Sequence, residues 1–446
     1  DLTAPKVFTR TNAELRLRAF RNDVLIKEDS FKLEFFPKRV APEFRNVAAG
    51  LYDPKGKTEQ LLIKAGFPFQ TVSTLDEVKK CRLLIIGQNA LKDSDAELLK
   101  QVEEAKLIER GLKVLIFEQE ACNMANFVFE SPSARNAFIR RPESQYLKGL
   151  KNDDFSNWRG ASDTVPAYVT SVENSPHYPR SKWKCGNGGI VSGNVIRKPS
   201  YGNFKTIVDC GFNLMFASLL ELRKEHGLVL FCQLDVTSRY LTDPVATKLV
   251  DNILSVMGKP FVPVGPQRVA YIGSADGEKL LKKMGMKYTK ISKFNIYRLS
   301  PFQVIFLGPE AIPEKEREKF KKYVAKDTAR AFVALPGAQL DLLPGNLKVG
   351  RKKLFRASVP QNDSLFAGIP NADLYFRRAH ELPVLTSAPD WMTTTTPALL
   401  GRLDHVNQAI IVMTIGPNDV DGLWNKEKVS RIWSSIFNNM NIGMGQ

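Results

Sequence analysis

The chain has 446 residues, 43% hydrophobic and 25% charged, with 64 Lys and Arg against 47 Asp and Glu for a formal net charge of +17. This length exceeds one ordinary core and calls for roughly two to four globular domains, and no apolar run is long enough to span a bilayer. The charge would suit polyanions, but Lys and Arg are scattered and often sit beside Glu, as at Glu314, Lys315, Glu316 and Arg317. No helix-turn-helix, zinc-finger or RNP-like pattern occurs, so nucleic acid is not an expected partner.

Cys81, Cys122, Cys185, Cys210 and Cys232 are odd in number and contain no CxxC, which is not a disulfide framework. One disulfide among Cys185, Cys210 and Cys232 stays open. Neither HExxH nor paired CxxC spacing appears, so no metal or other cofactor is expected. The chain starts at Asp1 without Met or a signal peptide, and reads as a piece of a longer polypeptide.

Residues 1–45 read as β. Positions 13–20 and 31–35 alternate in period two around a turn signal at Asn22-Asp23. An isolated hairpin is marginal in water, so it is expected to end an upstream β-sandwich or to pack on the α/β segment C-terminal to it. From residue 46 the pattern becomes strand (47–52), helix (58–65), continuous apolar strand (83–87), amphipathic helix (93–109) and strand (114–117). Later come a strand at 228–232 and a closing helix at 244–257. Continuous apolar strands between helices indicate a parallel sheet covered on both faces. The proline-rich stretch 259–266 is the expected linker.

The pattern then recurs at an offset of about 220 residues. Residues 82–91 (RLLIIGQNAL) match 303–312 (QVIFLGPEAI), 113–121 (KVLIFEQEA) match 330–338 (RAFVALPGA), and 146–155 (YLKGLKNDDF) match 365–374 (LFAGIPNADL). Trp158-Arg159 matches Phe376-Arg377, and the strand-helix endings 228–257 and 409–440 correspond. The expected architecture is α/β: two tandem doubly wound domains, 46–258 and 267–446, preceded by a short β-hairpin segment from an upstream β-domain.

This unit order resembles the flavodoxin-like, class I glutamine amidotransferase-like fold. The resemblance implies a sharp turn after the strand at 114–117, bearing a cysteine nucleophile above an oxyanion hole, with a distant histidine and acid. Here the elbows read Phe117-Glu118-Gln119-Glu120-Ala121 and Leu335-Pro336-Gly337-Ala338-Gln339, with neither Cys nor Ser at the turn. Cys122 is expected inside the following helix. None of His177, His226, His380 and His405 forms the His-x-Glu such a triad needs. A further resemblance runs through Trp183-Lys184-Cys185-Gly186, Arg197-Lys198-Pro199, Gly202-Asn203-Phe204, Asp209-Cys210-Gly211-Phe212 and Gln233-Leu234-Asp235. It is similar to a region of large bacterial glycoside hydrolases of the family two or β-galactosidase-like type, in which triad-less amidotransferase-like domains follow the catalytic barrel. That resemblance implies an extracellular or periplasmic location and, as partners, an upstream catalytic barrel or other subunit and an oligosaccharide.

The candidate binding residues are Glu118, Gln119 and Asp235 at strand carboxyl ends, Trp158 and Arg159, and Trp391 in the polar run 390–396. The acids and the tryptophans have bland alternatives. Glu118 and Glu120 read as solvated or helix-N-terminal acids, Asp235 as a helix cap, and Trp158, Trp183, Trp391 and Trp424 as packing rather than sugar platforms. Three functions remain open: a non-catalytic accessory region of a larger carbohydrate-active protein, a carbohydrate hydrolase with another site, or a basic polyanion-binding protein. No catalytic residue is assigned, and association with a second copy is left open.

Overall fold

The computed structural model describes all residues except 1–3, 46, 92–96, 125–126, 131–132, 168–185, 261–264, 293, 327–328, 406–407 and 445–446. The predicted hairpin is present. β1 (Thr11–Arg21) pairs antiparallel with β2 (Val24–Phe35), and Asn22 and Asp23 turn the chain at φ of 48° and 63°. Two successive positive φ values match the right-handed twist of the flanking strands. Its base is tied down: Arg10 bonds Glu34 and Asp154, and Arg39 Nε donates to Asp251 at 2.7 Å. Its tip is not. Leu17, Phe20, Ile26 and Phe31 are all about half exposed.

The chain then forms a mixed α/β structure with two large sheets. In the first, β3 (Ala49–Tyr52), β4 (Gln70–Thr71), β5 (Leu83–Ile86) and β6 (Lys113–Ile116) are parallel, with α1 (Lys57–Ala65), α2 (Leu75–Val78) and α3 (Glu97–Glu104) between them. After β6 come short strands: β7 (Phe129–Glu130), β8 (Ala137–Ile139), β9 (Trp158–Ala161), β10 (Gly188–Gly189) and β11 (Val195–Arg197). Longer antiparallel strands β12 (Phe204–Cys210) and β13 (Phe216–Lys224) lead to β14 (Gly227–Cys232) and the closing helix α4 (Pro244–Met257). The order is β4-β3-β5-β6-β14-β13-β11-β7, with β14 parallel to β6 and β13 antiparallel to β14.

The second sheet uses β15 (Val269–Ile272), α5 (Ala275–Lys283), β16 (Thr289–Lys290), α6 (Ile296–Leu299), β17 (Val304–Leu307), α7 (Arg317–Lys326) and β18 (Ala331–Ala334). β19 (Lys348–Arg356) and β20 (Tyr375–Ser387) form a separate ribbon. β21 (Thr393–Thr394), β22 (Leu400–His405), β23 (Gln408–Met413) and α8 (Leu423–Asn439) complete it. Its order, β16-β15-β17-β18-β23-β22-β21, repeats the first sheet's pattern strand for strand through the antiparallel sixth position.

The expected segment matches occupy equivalent places. β5 and β17, and β6 and β18, sit at the same sheet positions. The third match falls on paired 3-10 turns in each half, at Gln145–Leu147 and Asn152–Asp154, and at Ser364–Phe366 and Asn371–Leu374. Gly149 and Gly368 between them both hold positive φ, 79° and 72°. Asn252 on α4 donates to the carbonyls of Tyr146 and Lys148, and Asn439 on α8 donates to those of Leu365 and Ala367.

Several expectations need correction. α3 ends at Glu104, not residue 109, because Lys106 turns to φ of 51° and stops the helix. Cys122 is not in a helix: the chain after β6 is irregular and heads for β7, with Phe127 packed edge-on against Phe231 at 5.2 Å. The run 390–396 is not a cleft-lining loop. Thr393 and Thr394 form an edge strand, and the buried Thr395 hydroxyl accepts from Leu399 N at 2.8 Å. Cys81, Cys122, Cys210 and Cys232 are free, and Cys185 lies outside the described residues, as do Trp183 and His177.

Candidate functional site

In a parallel α/β sheet, ligands meet the crevice beyond the carboxyl ends of the strands, where neighbouring crossovers diverge. In the first sheet that place lies between β6 and β14, and side chains fill it. Glu118 is 3% exposed, so the reading of it as a solvated acid does not hold. Its Oε1 accepts from the N–H groups of Val236 (2.7 Å) and Thr237 (2.8 Å), and Oε2 lies 2.7 Å from Thr237 Oγ1. Burial, helped by the Asp235 charge, pushes the Glu118 carboxyl up to about 8. A neutral acid satisfies this geometry: Oε1 accepts both N–H groups while Oε2–H donates to the threonine hydroxyl.

Gln119 is equally committed. Its Oε1 accepts from Leu91 N (3.0 Å), and its Nε2 donates to the Gly87 and Phe117 carbonyls (2.7 and 2.6 Å). Its backbone is paired on both sides by the amide of Gln233, each bond 2.8 Å, so that one side chain stands in for a strand. Asp235 is fully buried and paired with Arg239, whose Nε and Nη2 donate to the carbonyls of Arg159 (2.9 Å) and Gly160 (3.1 Å). Asp235 therefore caps no helix. Asp243 does that for α4, accepting from Val245 N and Ala246 N at 2.8 and 3.0 Å.

The other sequence candidates do not join this cluster through their side chains. Trp158 is core, its Nε1 donating to Asp154 O at 2.8 Å. Arg159 is exposed and takes part through its backbone, its N–H donating to Asp243 at 3.0 Å. Trp391 is 55% exposed and lines neither the cavity at the second elbow nor the one beneath α4. Glu120 is exposed.

The second sheet differs. Its elbow at Pro336, Gly337 and Ala338 borders an open cavity of about 350 Å³ between β18 and β23, walled also by Val349, Pro383, Thr414, Arg351 and Asp419. Thr414 is held by its Oγ1 against the Pro383 and Leu399 carbonyls (2.7 and 2.9 Å), and Asp419 accepts from Gly416 N at 2.7 Å. Gln339 Oε1 accepts from Ile312 N at 3.0 Å, as Gln119 does from Leu91. Among the described residues that line this cavity, none is Cys, Ser or His. His380 is buried on β20, where Asn425 Nδ2 lies 3.3 Å from its Nε2, and His226 is exposed at the opposite end of β14. Burial pushes the Cys122 and Cys210 thiols up to about 12 and the Cys232 thiol well above its ordinary value, the reverse of what a nucleophile needs. Among the described residues no group of His, Cys, Asp and Glu is arranged to hold a metal, and no helix is long and apolar enough to cross a membrane.

Sequence reasoning missed Gln233 and Arg239, and it missed the surface joining the two halves. Arg140 bonds Asp209 at 3.1 Å and also Asp373 from the second half, and Lys198 bonds Asp209 at 3.0 Å, all nearly buried. Asn203 exchanges two hydrogen bonds with the backbone of Met444 (2.8 and 2.9 Å), and Asn438 donates to the carbonyls of Gly202 and Phe204. Residues 197–209, which carry much of the resemblance to glycoside hydrolase regions, thus form the strip on which α8 docks.

No family model and no curated protein matches the chain. Among solved structures, two cytoplasmic proteins of Salmonella typhimurium align with 56% of this chain and 97% of their own, each at 10% identity, with TM-scores of 0.29 and 0.26. An exo-beta-1,4-mannosidase of an Opitutaceae bacterium aligns at 14% identity and TM-score 0.24 over 47% of this chain, which spans 36% of the mannosidase. Scores this low establish no shared fold. The expected extracellular or periplasmic location is corrected: the two aligned Salmonella proteins are described as cytoplasmic, and export is withdrawn as a reading.

Proposed function

We propose that the chain is a non-catalytic accessory region of a larger carbohydrate-active protein, built from two duplicated flavodoxin-like, amidotransferase-like units that support assembly or hold a glycan. The observation that carries this reading is the first crevice. Where a working elbow would present a thiol to substrate, Glu118, Gln119, Gln233, Asp235 and Arg239 satisfy one another and leave no reacting group exposed. The duplication is supported by the shared strand order, the paired 3-10 turns, and the matching asparagines Asn252 and Asn439. The hairpin supplies the assembly surface: its exposed Leu17 and Phe31 suit packing against a further β-domain. The second crevice, with Arg351 and Asp419 on its wall, is the place for a glycan.

The reading is tested by assaying the purified chain and its Glu118→Gln variant against aryl glycosides and oligosaccharides. No turnover by either protein is expected. Turnover by the chain that disappears in the variant would refute it.

A further inference from the structure

A second cavity, of about 290 Å³, lies away from both elbows, at the amino-terminal end of β6 and beneath the carboxyl end of α4. Five cationic residues line it, Lys113, Arg141, Lys205, Arg223 and the exposed Lys259, against two acidic ones, Glu143 and Glu221. Both carboxylates are already engaged. Glu221 accepts from Arg223 Nε (3.1 Å) and from the Tyr146 hydroxyl (3.3 Å), and Glu143 accepts from Arg141 at 3.3 Å. Lys113 donates to the carbonyls of Met257 and Lys259, which leaves one of its three N–H groups. Arg141 Nε is buried without a partner. The Lys205 ammonium has no hydrogen bond or ion pair within the described residues. Burial pushes the Lys113 and Lys205 ammonium groups down to about 8; at Lys205 the Arg223 and Arg141 charges push the same way, against Glu221 and Glu143.

We propose that this cavity binds a tetrahedral oxyanion, phosphate or sulfate, free or as the ester group of a larger molecule, with Lys205 and Arg223 as its main donors. Half-buried cations in excess of their counter-charges are costly. An oxyanion supplies several acceptors to spare N–H groups at once, and charge-assisted bonds of this kind are the strong ones. The volume lies at the small end of ligand pockets, about 300–1,000 Å³, which suits one charged group rather than a polymer backbone. The site does not depend on the accessory reading, because it shares no residue with either elbow.

The test is calorimetric titration and thermal melting of the full chain with sodium phosphate, sodium sulfate and glucose 6-phosphate, at constant ionic strength against chloride and at about pH 7. The proteins are the wild type, Lys205→Gln and, as a control, Lys279→Gln at an exposed position on α5. Saturable binding with a Kd of about 0.1–1 mM is expected, weakened about tenfold by Lys205→Gln and unchanged by Lys279→Gln. Glucose 6-phosphate binding more tightly than phosphate assigns the site to esters; equal or weaker binding assigns it to the free anion. In chloride, Lys205→Gln should melt no lower than wild type, since it removes a repelled charge. No saturable response to any of the three anions, equal weakening by both variants, or a lower melting point for Lys205→Gln in chloride would overturn the proposal.

Discussion

Two backbone N–H groups and a threonine hydroxyl surround the Glu118 carboxyl, and the Asp235 charge lies close by. The folded protein therefore holds a proton there up to a pH of about 8, whereas the unfolded chain releases it in the ordinary carboxylate range. The stability this group contributes is accordingly full below that ordinary range and is lost as pH rises through about 8. Glu118→Gln reproduces the neutral acid, an acceptor toward Val236 and Thr237 and a donor toward Thr237 Oγ1. It should leave the melting temperature unchanged at about pH 4 and raise stability by roughly 1–3 kcal/mol at about pH 8.5. Asp235→Asn makes the opposite prediction. It strands the buried Arg239 charge and should cost about 3–5 kcal/mol in denaturant unfolding. The elbow acids could be placed from sequence, because they follow an apolar strand. The burial of Glu118 could not, since its partners lie more than a hundred residues further on, at Val236 and Thr237.

Elements with strong local signals were legible. α4 spans Pro244–Met257 as expected, because Asp243 caps it, Pro244 sits where its missing N–H costs nothing, and its inner face is apolar. β5 and β6 declared themselves as continuous apolar runs. The antiparallel strands from β7 to β13 did not: most are two to four residues long, and their pairing is set by distant partners rather than by local period. The matching turns around Gly149 and Gly368 show how elements at equivalent places come under different demands. Both glycines hold positive φ, so alanine strains either by about 1–2 kcal/mol. At Gly149 the nearest atom to an added Cβ is Lys248 Cε at 3.7 Å, whereas at Gly368 the Cβ would collide with the Arg141 guanidinium. Gly368→Ala should therefore cost at least about 1 kcal/mol more than Gly149→Ala in the same unfolding experiment.

At the scale of the molecule, the two halves meet through buried charge. Arg140 bridges Asp209 and Asp373, Lys198 completes the group on Asp209, and Arg431 lies buried beside it. Burial alone would raise the Asp373 carboxyl; the Arg140 and Lys198 charges outweigh it and hold it below its usual range. The interface was invisible in the sequence because its charges are scattered singly along the chain, where each reads as a solvated residue. The proposed accessory role needs the two halves fixed relative to one another, and a buried ionic group broken on one side is strongly destabilising. The most direct test is scanning calorimetry of the full chain beside Asp373→Asn. We predict one cooperative transition for the wild type, and for the variant two separated transitions or a loss of about 3–5 kcal/mol. Two well-separated transitions in the wild type, left unmoved by the substitution, would contradict a single accessory body.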